Sequence, residues 1–278
     1  MDNSFEKEIK AGERFSFGEN WRAFLNVLSD EKIEEAKKSL TKMLNVPDLV
    51  GCTFLDAGCG SGLFSLAARH LGAKVFSFDF DPQSVACTRL LKSRYFSNDT
   101  DDDWTIIEAS VLDIDFMKSL KQFDIVYSWG VLHHTGNLAL ALENIDFPLK
   151  KGGKLFIALY NDAGLSSRIW LQIKKIYNAS YLGQLMMKAI FIPYYFLRYL
   201  LTDLFHGQNP VKRYENYKKS RGMSMYFDWI DWIGGYPFEV SKGSEVINLF
   251  KKKNYVSVPT TIIDNGAACN ELVLLKAK

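Results

Sequence analysis

Along the middle of this 278-residue chain, short apolar runs alternate with longer stretches of helical spacing. Phe54 and Leu55 are followed by Asp56 and then by a glycine at every second position, Gly58, Gly60 and Gly62, before an apolar helix predicted from Leu63 to Leu71. Further strands are predicted at KVFSFDF (Lys74 to Phe80), at TIIEAS (Thr105 to Ser110), from Phe123 onward, and at GGKLFIALYND (Gly152 to Asp162), the last introduced by a Pro148/Gly152-Gly153 turn. Strands alternating with helices predict a mostly parallel sheet joined by right-handed crossovers. Such sheets bind ligands at the carboxyl ends of their strands. Ahead of them, Asp30 to Leu44 sets Ile33, Ala36, Leu40, Met43 and Leu44 at helical spacing. Beyond them, helices are predicted from Ser166 to Tyr177, from Leu182 to Phe205 and from Gly243 to Lys252. YVSVPTTII and NELVLLK then read as two closing strands joined by an Asp264-Asn265-Gly266 turn.

The glycine-rich turn carries the chemistry. Without Cβ atoms the backbone can turn tightly and approach a ligand, and the following helix aims its N-terminal amides at that place. The dinucleotide pattern G-x-G-x-x-G fails because Leu63 stands where its third glycine belongs, and no Gly-Lys-Ser/Thr ends a phosphate loop. What remains is an acid-x-G-x-G-x-G loop. Asp79 follows it by about twenty residues, the place from which a carboxylate holds a ribose diol. Asp81 precedes Pro82 and is the better helix cap, which leaves Asp79 for a ligand.

These landmarks, in this order and spacing, resemble the class I S-adenosylmethionine (SAM)-dependent methyltransferases. The GVLHHT element after the fourth strand resembles the branch that acts at oxygen or carbon on quinone precursors and natural products. DNA and glutamine amino-methyltransferases carry Asn/Asp-Pro-Pro-Tyr/Phe there, where this chain has Ser128-Trp129-Gly130-Val131. The resemblance is specific from about Phe54 to Ala158 and looser in the closing strands. It implies an α/β, Rossmann-like seven-stranded fold with strand seven antiparallel between strands five and six. It implies SAM as cofactor, with S-adenosylhomocysteine (SAH) as product. SAM has a sulfonium and an amino-acid tail but no phosphate, so an acid near the loop is useful. The implied cofactor contacts are Asp56, Gly58, Cys59, Gly60, Gly62, Asp79, Phe80, Ser110, Val111, Ser128 and Trp129. An N-terminal segment often folds over the cofactor in this family, and Phe17, Asn20 and Trp21 are the candidates for such a cap. The expected organisation is a helical cap over 1–50, the SAM-binding core over 51–160, a helical lid or interface insertion over 161–235, and over 236–278 a C-terminal helix with the closing strands.

Methyl transfer needs near-attack geometry, exclusion of water and a base when the nucleophile carries a proton. Four histidines are present. His70 lies at the far end of the first helix and His206 in the insertion. His133 and His134 directly follow strand four, where the methyl group must lie. One of the pair is expected as base or orienting donor and the other as structural; the alternative is that both only shape a turn. Tyr160, Asn161, Tyr226, Trp232 and Tyr236 are candidates for the acceptor side. The expected reaction is methyl transfer to a small-molecule or carrier-linked metabolite, most simply at oxygen. N- or C-methylation, a peptide or protein acceptor, and a non-catalytic SAM/SAH-binding partner protein stay open.

Composition narrows the surroundings. A net charge of +2 makes no electrostatic case for nucleic acid. Four cysteines without disulfide or metal spacing, and a polar, charged N-terminus, lead to the expectation of a reducing, cytoplasmic location and no metal. The apolar run AIFIPYYFLRYLL, Ala189 to Leu201, reads first as a lid or homodimer helix and second as a face for a membrane or lipid-linked substrate.

Overall fold

The computed structural model describes residues 4–26, 28–213, 225–264, 266 and 268–278. Asn265 of the proposed turn lies outside the described residues. Seven strands, β1 (Thr53–Ala57), β2 (Lys74–Asp79), β3 (Trp104–Glu108), β4 (Phe123–Trp129), β5 (Leu149–Tyr160), β6 (Tyr255–Ser257) and β7 (Cys269–Lys276), form one sheet. Their order is β3-β2-β1-β4-β5-β7-β6. The first five strands run parallel, and β7 is antiparallel to both β5 and β6. This is the Rossmann-like arrangement that the resemblance implies.

The central strands are apolar on both faces because helices cover both. On one side α3 (Asp30–Leu44), α4 (Leu63–His70) and α5 (Pro82–Tyr95) bury Leu40, Leu44, Leu66 and Leu91 against Phe54 and Trp104. On the other, α6 (Ile114–Ser119), α7 (Leu138–Asn144) and α11 (Gly243–Lys251) bury Met117, Leu142 and Phe250 against Leu55, Val126 and Leu155. Strand five departs from expectation: β5 begins at Leu149 and runs through the glycine pair. Gly152 has φ +79°, and the pairing with β4 shifts register between Phe123 and Ile125. An irregular strand absorbs the glycines that read as a turn.

A third cluster lies beyond the sheet. Helices α8 (Leu165–Ala179), α9 (Tyr181–Phe205) and α10 (Met225–Gly234) pack around Tyr177, Met187, Tyr195, Trp229 and Ile233, with Phe15 of the N-terminal segment against them. Helix α10 falls between the helices predicted at Leu182 to Phe205 and Gly243 to Lys252, where none is predicted. Leu182, Leu185, Ile190, Leu197 and Leu201 remain exposed along α9. Among the described residues no helix is long and apolar enough to cross a membrane.

The N-terminal chain joins these layers. Helix α1 (Ser4–Lys10) leads to Arg14, whose guanidinium lies 4.9 Å from the centroid of the Phe80 ring. Helix α2 (Gly18–Leu25) packs beside α5, and the Gly18 amide donates to Asp81 Oδ2 at 2.9 Å.

Candidate active site

One cavity of about 1250 Å³ runs along the carboxyl ends of the parallel strands and continues under the α8–α10 helices. Its two ends differ in chemistry.

At the first end, Gly58, Cys59 and Gly60 form the floor, with Asp56, Asp79 and Phe80 beside them. Gly58 has φ +85° and its Cβ position overlaps the side chain of Val131; Gly60 has φ +53°, and a Cβ there would lie 3.2 Å from the Trp21 ring. Both positions therefore demand glycine. Asp79 Oδ2 accepts from the Gly60 amide at 2.8 Å, and Oδ1 accepts from the Asp81 amide at 2.9 Å. Each oxygen keeps a second lone pair for a ligand hydroxyl. Asp81 also caps α5, accepting from the Gln83 amide at 2.8 Å. Burial raises the Asp79 pKa to about 6 against the lowering effect of those two amides. Burial raises Asp56 to about 7, opposed by the Ser65 hydroxyl and reinforced by the negative charge of Asp79. A ligand with positive charge near these two acids relieves both. Ser110, Val111 and Leu112, after β3, complete this wall. A cradle that a Cβ would fill, a carboxylate placed for a diol and acids suited to a cation together fit SAM.

At the second end lie the histidines. Both line the cavity, on the short 3₁₀ turn Leu132–His134. That turn is braced from outside: Arg14 Nη1 donates to the His134 carbonyl at 2.9 Å, and the Glu239 amide donates to the His133 carbonyl at 3.0 Å. The rings are held in different states. His134 Nδ1 lies 2.6 Å from the Pro237 carbonyl, which can only accept, so Nδ1 carries the proton and Nε2 holds a lone pair. His133 Nδ1 receives the Tyr160 amide at 3.3 Å, so its Nδ1 is the acceptor and Nε2 carries the proton. Burial, then the positive charge of Lys174, lowers the His134 pKa to about 3. Burial, with His134 and Lys174 adding to it, holds His133 well below the ordinary imidazole value. Long-range nitrogen–proton NMR is expected to show both rings neutral from about pH 8 to about pH 5.5, where a free imidazole would already be charged. The expected tautomers are Nδ1–H for His134 and Nε2–H for His133. A charged ring at pH 6 or identical tautomers would overturn this assignment.

The α8–α10 helices add a polar group that sequence patterning missed. Lys174, Asp228 and Asp231 line the cavity beside Trp170, Tyr195 and Trp232. Burial raises the Asp231 pKa to about 8 despite its hydrogen bond from Asn20. Arg14, also on the cavity wall, was likewise missed. The available signal was Asp228 and Asp231, two acids three residues apart in an otherwise apolar, Trp-rich helix.

Of the sequence candidates, Phe17, Trp21, Asp56, Gly58, Cys59, Gly60, Asp79, Phe80, Ser110, Val111 and Trp129 lie on the cavity, as do His133, His134, Tyr160, Asn161 and Trp232. Five do not. Asn20 turns away from the first end and donates to Asp231, because the buried carboxylate is its nearest strong acceptor. Gly62 serves packing: it has φ +83°, and a Cβ would come 2.7 Å from Thr88 Oγ1 on α5. Ser128 is fully buried within β4 and donates to the Ala57 carbonyl at 2.7 Å. Tyr226 is on the outer face of α10, 45% exposed. Tyr236 contributes its carbonyl, which accepts from the Phe15 amide at 2.8 Å, and its ring is not on the cavity.

Comparison with known proteins agrees with this geometry. Residues 55–157 match the family described as Methyltransferase domain. They form a class I methyltransferase domain. Domains of this class use SAM. The ubiquinone biosynthesis O-methyltransferase of Pelagibacter ubique is 26% identical over 136 residues, 49% of this chain and 50% of that protein. The tRNA U34 carboxymethyltransferase of Colwellia psychrerythraea is 31% identical over 113 residues, 41% of this chain and 33% of that protein. The chain thus spans half or less of the length of these curated relatives. Magnesium protoporphyrin IX methyltransferase from Synechocystis PCC 6803, solved with bound SAH, superposes with TM-score 0.53 at 11% identity over 100% of this chain and 89% of that one. PKMT2 from Rickettsia typhi, in complex with AdoHcy, superposes with TM-score 0.56 at 16% identity over 86% of this chain and 53% of that one. At these identities the likeness is one of fold, and the methyltransferase domain keeps its histidine turn beside the glycine loop in a single cavity.

Proposed function

We propose that this chain transfers a methyl group from SAM to a hydroxyl of a small-molecule or carrier-linked metabolite. The observation that carries the reading is the shared cavity, with a glycine cradle at one end and two buried, oppositely tautomerised histidines at the other. SAM supplies an electrophilic methyl on its sulfonium. Asp79 holds the ribose hydroxyls, the turn Ser110–Leu112 flanks the adenine, and Gly58 and Gly60 let the backbone approach. Asp56 offers negative charge to the amino-acid tail. Trp21 covers this end beside Gly60, and Phe17, its ring 5.0 Å from that of His134, closes the histidine side; both exclude water.

At the other end His134 acts through Nε2, taking the hydroxyl proton as the acceptor oxygen attacks. Its Nδ1–H stays on Pro237, which steadies the ring and the charge that forms. His133 orients the acceptor oxygen by donating from Nε2. An imidazole this strongly desolvated is a weak base, so the reading suits a nucleophile whose own acidity is high, such as a phenol or enol. The relatives that modify tRNA raise a macromolecular acceptor. The aromatic side chains of α8–α10 over the second end, and a net charge of only +2, favour a small molecule instead. Calorimetric titration with SAH, followed by mass-spectrometric detection of methylated products from a panel of phenols, alcohols, amines and peptides, tests the proposal. No SAH binding, or methylation of amines alone, would sink it.

A further inference from the structure

Lys174 is the least explained group near the site. It sits on α8, is 3% exposed and lines the cavity. Its Nζ donates to the Trp232 carbonyl at 2.7 Å and lies 5.0 Å from the centroid of the Phe238 ring. An ammonium has three N–H groups, and one hydrogen bond is formed here. None of the described acids forms an ion pair with it: Asp231 accepts from Asn20 instead, and burial favours the protonated form of that acid. Burial lowers the Lys174 pKa to about 7, with Asp231 holding it up. A buried ammonium without an anion is costly, and proteins keep such groups paired or leave them for a ligand. The Tyr195 hydroxyl on the same wall is also buried without a partner.

We propose that Lys174 anchors a carboxylate on the methyl acceptor, and that the acceptor is a flat, ring-containing acid. The ring lies among Trp170, Tyr195, Trp232 and Phe238, all on the wall of this compartment. Lys174 holds the carboxylate through its remaining N–H groups, and the hydroxyl to be methylated is turned toward His134. Beside Lys174 stand Asp228 and Asp231 on the neighbouring helix, so a monoanion such as a carboxylate meets less repulsion there than a phosphate dianion would. This inference rests on the methyl-transfer reading and goes further by naming the acid class.

The test uses the full chain saturated with SAH and matched probes, the hydroxybenzoates and the corresponding hydroxybenzamides, titrated calorimetrically near pH 6.5. At least one acid is expected to bind roughly tenfold or more tightly than its amide, since the charge-assisted bond is lost in the amide. Lys174→Met is expected to abolish that preference while SAH affinity stays unchanged. Equal binding of acids and amides, failure of every acid to bind, or a preference that survives in Lys174→Met would overturn the inference. If the variant does not fold, the wild-type pH series decides. Asp228 and Asp231 from α10, His133 and His134 after β4, Arg14 from the N-terminal segment and Arg198 from α9 all face this compartment. The two histidines stay neutral throughout, and deprotonation of Asp231 works in the same direction as loss of the ammonium. The preference should therefore fall as pH rises through about 7, and a flat profile would overturn it. SAH binding without an acid preference removes this inference alone, whereas absence of SAH binding removes the methyl-transfer reading beneath it.

Discussion

Alanine in place of Asp79 is expected to weaken SAH binding at least tenfold and toward a hundredfold, because two charge-assisted hydrogen bonds to the ribose are lost and each factor of ten is about 1.4 kcal/mol. The structure adds a second reason. The same carboxylate ties down the Gly60 and Asp81 amides, so its removal also loosens the loop that forms the cradle. Asp79→Asn keeps one acceptor oxygen and should fall between wild type and Asp79→Ala. Affinity of the wild type for SAM should also decline as pH drops below about 6, where Asp79 takes up a proton and loses its charge. Titration calorimetry measures all three. Full affinity in a folded Asp79→Ala protein would remove this residue from the cofactor site.

The second large effect concerns turnover. His134→Ala is expected to lower kcat by roughly a hundredfold or more, the usual contribution of a positioned general base. SAH affinity should stay within about twofold of wild type, since the ring hydrogen-bonds to the Pro237 carbonyl and to neither Asp79 nor the glycine loop. His133→Ala should lose less in kcat but more in stability, because it leaves the Tyr160 amide without its acceptor. A fully active His134→Ala enzyme would show that alignment alone carries the reaction, as it can when the nucleophile arrives already deprotonated.

The parts of this site that a linear reading reaches are those with local causes. Glycines at 58 and 60 must lie against a ligand or a neighbour, and an acid after β2 must face the strand ends; both follow from spacing within one βαβ unit. Gly62 looks the same in sequence yet serves helix packing, because the helix it meets, α5, comes later in the chain. Ser128 shares its strand with Trp129, but the pleat turns it toward Ala57 while Trp129 reaches the cavity. The choice between His133 and His134 could not be read from the chain, because their partners, Tyr160 and Pro237, are 27 and 103 residues away. Lys174 was hidden for the same reason. On α8 it looks like one more charge in an amphipathic helix, and only the packing of α10 and the Phe238 segment makes it a buried cation.

The short N-terminal strap has a kinetic consequence. Gly18 is bonded to Asp81 on the cofactor wall, and Asn20, two residues later, is bonded to Asp231 on the acceptor wall. Phe15 is bonded to Tyr236. The segment therefore ties the two walls of the cavity together. On the methyl-transfer reading the expected order is sequential, the nucleoside arriving before the strap engages α10 and its demethylated form departing last, and product-inhibition kinetics would check it.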